Sequence, residues 1–142
     1  MLYITIRMLH LLAALILCMA ILITNLGVSR TLSAEDRRSL RGMLAVQAAA
    51  IVVMAITGMT IWLVLGRPAE FYNGNPVFHI KLLLFAALVL LTIPAALHLK
   101  AAGCSAEDES SPGHVLVALR LQLVVFIAIP LLAWLVARGI GH

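Results

Sequence analysis

The stretch GNPVFHIKLLLFAALVLL, Gly74–Leu91, decides the fold. Gly74, Asn75 and Pro76 form a turn signal, and an apolar run follows with Lys81 as its one charged residue. An element that crosses hydrocarbon must satisfy its own backbone, which a helix of about 20 apolar residues does. The run is rich in Leu, Ala and Val and lacks the period-two alternation of a barrel strand, so it is predicted to be a membrane-spanning helix.

Three further stretches follow the same rule, giving predicted spans at residues 2–26, 43–65, 77–99 and 115–137. The whole chain is 63% hydrophobic and 11% charged, too little polar surface for a soluble domain of 142 residues. A cleaved signal peptide is disfavoured for the first span, because its apolar run is too long and no small-x-small site precedes "NLGVSR". The expected fold is all-α: one integral membrane domain over residues 1–142, an antiparallel four-helix bundle with short loops.

The net charge of +4 does not point to nucleic acid, because its distribution follows a membrane pattern. Arg30, Arg37, Arg38 and Arg41 cluster in the first loop, Lys100 lies in the third, and Arg120 sits just inside the last span. The positive-inside rule makes these loops cytoplasmic and puts both termini and the second loop outside, leaving Arg7, Arg67 and Arg138 spread over that face. Tyr3, Trp62, Tyr72 and Trp134 all fall at the same outer ends, as an interfacial aromatic belt should.

The loops and helix interiors carry ordinary signals. Ser33 followed by Glu35 and Asp36 opens a helical lead-in to the second span. "GRPAEFYNGNP" reads as an outer turn region, and Glu107, Asp108 and Glu109 as a solvated cytoplasmic loop. Pro94 and Pro130 interrupt the last two spans, each freeing the carbonyl four residues earlier, at Leu90 and Phe126. Cys18 is mid-helix and Cys104 in a loop on the reducing side, so no structural disulfide is expected.

Ionisable groups inside a membrane segment call for a function. His10 lies within the first span and His79 near the start of the third, and both spans run inward from the outer face. At about 1.5 Å per residue, His79 lies roughly 6 Å below Asn75 and His10 roughly 12 Å below Leu2. Two imidazoles at similar depth on diagonal helices can hold a flat macrocycle, and paired axial nitrogens make a low-spin haem for electron transfer.

Haem propionates need cationic partners. Arg7 shares a helix face with His10, three residues on, and suits that role. Lys81 stands about 200° around an ideal helix from His79, so the two do not point at one centre; Lys81 also suits a snorkelling anchor. Asn25, Gln47, His98, Arg120 and Gln122 form a second polar tier at the inner ends, read as interhelical glue or as a second cofactor site using His98. Gln47, Glu35 and Asp36 are the candidate partners for Arg120, and His114 and His142 carry no specific signal.

"NPVFHIKLLLF" and "LRLQLVVFIAIPLLAWLVARGIG" resemble an uncharacterised family of four-helix bacterial inner-membrane proteins, with N-P-x-F-H-x-K as the most specific element. More distantly, the chain resembles copper-resistance D-like proteins and the membrane protoporphyrinogen oxidases of the HemJ type. The shared features are Arg7 before His10, the H-x-K-L element at His79, Lys81 and Leu82, the approach "RRSLRGM" and the later "TGMTIW". The resemblance implies a bacterial inner-membrane protein with a periplasmic outer face and haem b between the first and third helices. His10 and His79 would be the axial metal ligands, with Arg7 and Lys81 as charged helpers. The first span lacks a W-x-x-G pattern, and "AVQAAAIVVM" has Gln47 and no proline, which departs from the oxidases and from protoporphyrinogen as substrate.

The leading expectation is therefore a small b-type cytochrome acting in electron transfer or as a haem-dependent oxidoreductase. Its partners would be membrane lipids and a quinone, a porphyrin or a redox protein. A copper-handling protein is the second, although Met1, Met8, Met19, Met43, Met54 and Met59 are scattered without an M-x-x-M cluster. A cofactor-free subunit of a homo-oligomer or larger complex is the third, with Ala48, Ala49, Ala50 and Gly58 permitting close helix contact.

Overall fold

The computed structural model describes residues 1–28, 31–66, 68–101, 109–110 and 113–138. Arg30, Arg67, Cys104, Glu107, Asp108 and His142 lie outside the described residues, as do the side chains of Arg37, Lys100 and Glu109. The order is α1 (Leu2–Gly27), β1 (Thr31–Leu32), α2 (Ala34–Thr60) widening into a π-helical turn at Ile61–Leu65, α3 (Ala69–Asn73), α4 (Pro76–Ala101), β2 (Glu109–Ser110) and α5 (Gly113–Ala137). Four stretches are long and apolar enough to cross a membrane: Leu2–Gly27, Arg38–Leu65, Pro76–His98 and Gly113–Ala137. They agree with the run-length expectation to within a few residues at each end, except that the second span begins at Arg38.

That early start follows from the Ser33 signal. The Ser33 hydroxyl accepts from Asp36 N–H at 3.2 Å, and the Asp36 carboxylate accepts from Ser33 N–H at 3.3 Å, a closed capping box. A lead-in and a span are thus one continuous α2. In the second loop the turn formers leave room for a single helical turn, α3, which starts behind Pro68. Gly66 ends the π-helical turn where a Cβ would run into the Ile61 carbonyl oxygen. Asn75 then opens α4: its side-chain oxygen accepts from Val77 N–H at 2.9 Å, with Pro76 at the first helical position, where its missing N–H costs nothing.

The helices pack in neighbouring pairs. α1 lies along α2 and α4 along α5, with lesser contacts of α1 with α5 and α2 with α4. Gly27 meets Leu40, His10 meets Thr57, Asn25 bonds the Leu119 carbonyl and Trp62 stacks edge-on against Phe78. At each of these contacts the end of one helix meets the start of another. Both loop connections, α1–α2 and α4–α5, lie at one end, where β1 pairs with β2, Thr31 opposite Ser110 and Leu32 opposite Glu109. The N-terminus of α1, the C-terminus of α5 and the α2–α4 connection share the other end, called here the chain-end side.

Inward positions recur at three and four residues. On α1 they are Ala13, Leu17, Ala20, Ile21 and Thr24; on α5 they are Val115, Ala118, Leu119, Gln122, Phe126, Ile129 and Val136. Two apolar clusters result. A central one holds Ala13, Leu17, Ile21, Ala50, Met54, Leu88, Phe126 and Ile129; a second, nearer the loop side, holds Leu40, Leu44, Ala95, Val115 and Leu119. Cys18 packs against the central cluster as a free thiol.

The outward faces are also apolar, with Leu83, Leu90, Val124 and Leu131 all more than 60% exposed. In water such surfaces would associate; in a bilayer they meet acyl chains, and helix contact rests on packing and hydrogen bonds rather than on the hydrophobic effect. α4 and α5 run through Pro94 and Pro130 without a break.

Candidate functional site

The chain-end side holds Arg7, His10, His79 and Lys81. His10 falls one heptad before Leu17 and two before Thr24, both fully buried, so the register of α1 turns its ring toward the neighbouring helices. There its Nδ1 lies 2.8 Å from the Thr57 hydroxyl oxygen of α2. Thr57 has one proton to give, and it donates to the Val53 carbonyl at 2.7 Å. The hydroxyl is thus left as acceptor, and Nδ1 is assigned as an N–H donor; in the neutral ring this is the Nδ1–H tautomer. The lone pair then sits on Nε2. Metal-bound and catalytic histidines are commonly held this way, with the second nitrogen fixing tautomer and tilt.

Gly58 makes room for that ring. A Cβ on Gly58 would come within 3.2 Å of His10 Cε1, closer than ordinary van der Waals contact. Thr57 and Gly58 together therefore form the seat of the imidazole, one by hydrogen bonding and the other by its lack of a side chain. The Met54 carbonyl also faces the ring.

α4 supplies the second ionisable group, and it is Lys81. Lys81 stands one heptad before Leu88 and two before Ala95, each fully buried, and three residues after the buried Phe78. It is half-buried, its ammonium 5.3 Å from the centroid of the Phe78 ring. The 200° between positions 79 and 81 then puts His79 on the other face. His79 is exposed, and its Nε2 donates to the Asn73 carbonyl at 2.9 Å, which ties the ring back to the end of α3.

The four residues singled out from the sequence thus divide. His10 and Lys81 lie on inward-facing registers of α1 and α4. His79 is held at the rim, and Arg7 is exposed on the first turns of α1. Among the described residues no hydrogen bond or ring contact joins His10 to His79. Thr57 and Gly58 are the site residues that composition and periodicity passed over, although both lie in the "TGMTIW" element.

An aromatic wall closes this end. Phe78 is buried between Trp62 at 5.1 Å and Tyr72 at 5.2 Å between ring centroids, and Trp62 Nε1 donates to the Asn73 side-chain oxygen at 3.1 Å. Trp134 at the end of α5 lies 4.2 Å beneath the Arg138 guanidinium. The belt expected from the sequence is therefore built partly from rings packed on one another.

The tier nearer the loop side is organised differently. Gln47 and Gln122 are fully buried, and Asn25 donates to the Ile21 and Leu119 carbonyls at 3.0 and 3.1 Å. His98 is half-buried and Arg120 exposed. Thr24 and Thr92, neither evident from the sequence, join the buried glutamines. Among the described residues no group of three or more His, Cys, Asp or Glu side chains is placed to hold a metal ion. Met54 is buried, while Met8, Met19 and Met59 are more than half exposed.

No curated protein matches the chain, and no solved structure matches it. A family model described as a predicted membrane protein (DUF2214) matches residues 3–141, and the chain belongs to that family of multi-pass membrane proteins.

Proposed function

We propose that this chain is a small b-type haem protein of the bacterial inner membrane, working in electron transfer or as an oxidoreductase linked to a quinone or a porphyrin. Its four helices would form an antiparallel bundle with both termini on the periplasmic side. The first-loop arginines Arg38 and Arg41 and the aromatic belt support that orientation. The observation that carries the redox reading is the seated His10: its Nδ1–H is spent on Thr57, which leaves Nε2 as the ligating nitrogen of the neutral ring.

The donor set fits one axial imidazole supplied by α1. It does not fit two, because His79 is on the far face of α4 and bonded to Asn73. His10 would bind iron through Nε2, Thr57 and Gly58 would fix the ring, and Lys81 would offset the negative charge of a propionate. Bound haem would supply one-electron redox chemistry. The chain's own part is an oriented ligand, a cation and an apolar wall that keeps water away. The resemblance to copper-resistance D-like and HemJ-type proteins, drawn from the same Arg7–His10 and H-x-K-L elements, favours a porphyrin-binding role over a purely structural one.

The test is a visible spectrum of the chain extracted from membranes in mild detergent, oxidised and then reduced with dithionite. A Soret band with reduced α and β bands is expected. A colourless preparation that takes up no added haemin would contradict the proposal, and copper found by metal analysis in its place would favour copper handling.

A further inference from the structure

The two apolar clusters are separated by a layer to which each membrane helix contributes one polar side chain. On α1, Thr24 follows Ile21 of the central cluster by three residues, and Val28 packs on the second cluster. On α2, Gln47 lies between Leu44 and Ala50. Thr92 of α4 lies between Leu88 and Ala95, and Gln122 of α5 between Leu119 and Phe126. On each helix the polar residue thus lies between members of the two apolar clusters, and Gln122 and Thr92 are bonded to one another.

The hydrogen-bond account of this layer does not close. Thr24 and Thr92 donate back to the carbonyls of Ala20 and Leu88, at 2.7 and 3.0 Å. Gln122 Nε2 donates to the Thr92 hydroxyl at 2.8 Å. Among the described residues, both amide atoms of Gln47 and the Oε1 of Gln122 have no hydrogen-bond partner, in side chains that are fully buried. A buried amide left unmade is costly, and such groups are normally paired with protein or with water.

We infer that this layer holds bound water inside the membrane, bridging Gln47 of α2 to the Gln122 and Thr92 pair. The orphaned atoms include both donors and acceptors, which a molecule able to give and accept satisfies together. Every side chain in the layer is neutral, so a bare ion would bring uncompensated charge into a low-dielectric interior. Water is the small neutral ligand that meets both conditions, and buried waters characteristically make about three bonds to groups of this kind. The water is independent of any haem, since the layer shares no residue with the His10 seat.

Gln47 and Gln122 are the chain's only two glutamines, so glutamine-selective nitrogen-15 labelling lights up two side-chain amides. Rotating-frame Overhauser spectra of the unmodified chain in lipid nanodiscs separate through-space contact with water from chemical exchange by sign, and the Gln122→Leu variant assigns the pair. Through-space cross-peaks from the Gln47 amide protons to water are expected. Cross-peaks of exchange sign alone, or contacts only to protein protons such as a direct Gln47–Gln122 amide pair, would overturn the inference.

Discussion

The chain-end site and the buried layer use the same helices to opposite ends. At the chain-end side the polar groups are ionisable, they are partly open, and His10 is seated by a specific partner. In the layer the groups are neutral, three of the four are fully buried, and among the described residues the two glutamines keep unpartnered atoms. Charge is tolerated where a side chain can reach the interface, whereas neutral amides are all the apolar interior accepts. The ionisable end is thus suited to chemistry and the neutral layer to holding helices and water in register.

Substitutions can break this contrast, beginning with the apolar material that divides the two levels. Leu88 is fully buried between them, and Leu88→Ala should cost about 2 to 5 kcal/mol, read from unfolding in mixed micelles. A loss well below 1 kcal/mol would mean that the central cluster does not pack as described. Gly58→Ala comes next. The new methyl group requires the His10 ring to give way by a few tenths of an ångström, so any haem spectrum should be altered; an unchanged spectrum would remove Gly58 from the seat.

Smaller effects sharpen the picture. Ser33→Ala opens the capping box of α2 and should cost about 1 kcal/mol in the same assay, with no change at the chain-end site. Thr57→Val deletes the acceptor of the His10 N–H, a loss of about 0.6 kcal/mol by the measure of other intramembrane hydrogen bonds. Its stronger signature is spectroscopic: the imidazole loses its fixed tautomer, so the His10 side-chain nitrogen resonances should shift. If they stay in place, the hydrogen bond is not the one that holds the ring.

The spans were legible because run length alone determines what crosses a bilayer, and the α2 start was legible in Ser33, Glu35 and Asp36. The π-helical turn at Ile61–Leu65 and the short α3 were not, because they depend on how Gly66 and the aromatic wall pack. Of the site, the 200° between His79 and Lys81 showed that only one would face inward. The expected ligand was His79, whereas the heptad Lys81, Leu88, Ala95 turns Lys81 inward, which is visible only once Leu88 and Ala95 are known to be buried. Thr24 and Thr92 passed unnoticed because a threonine bonded to its own preceding turn looks like any other residue of an apolar helix.

The central claim is that α4 turns Lys81 inward and leaves His79 at the rim, so that the seated His10 is the one histidine ligand. Reduced-minus-oxidised spectra of His10→Ala and His79→Ala, prepared side by side with the parent chain, test it directly. The account predicts that the haem signal disappears with His10→Ala and survives His79→Ala at close to parental intensity. Equal loss in both variants would restore a two-histidine pair and contradict the arrangement described here.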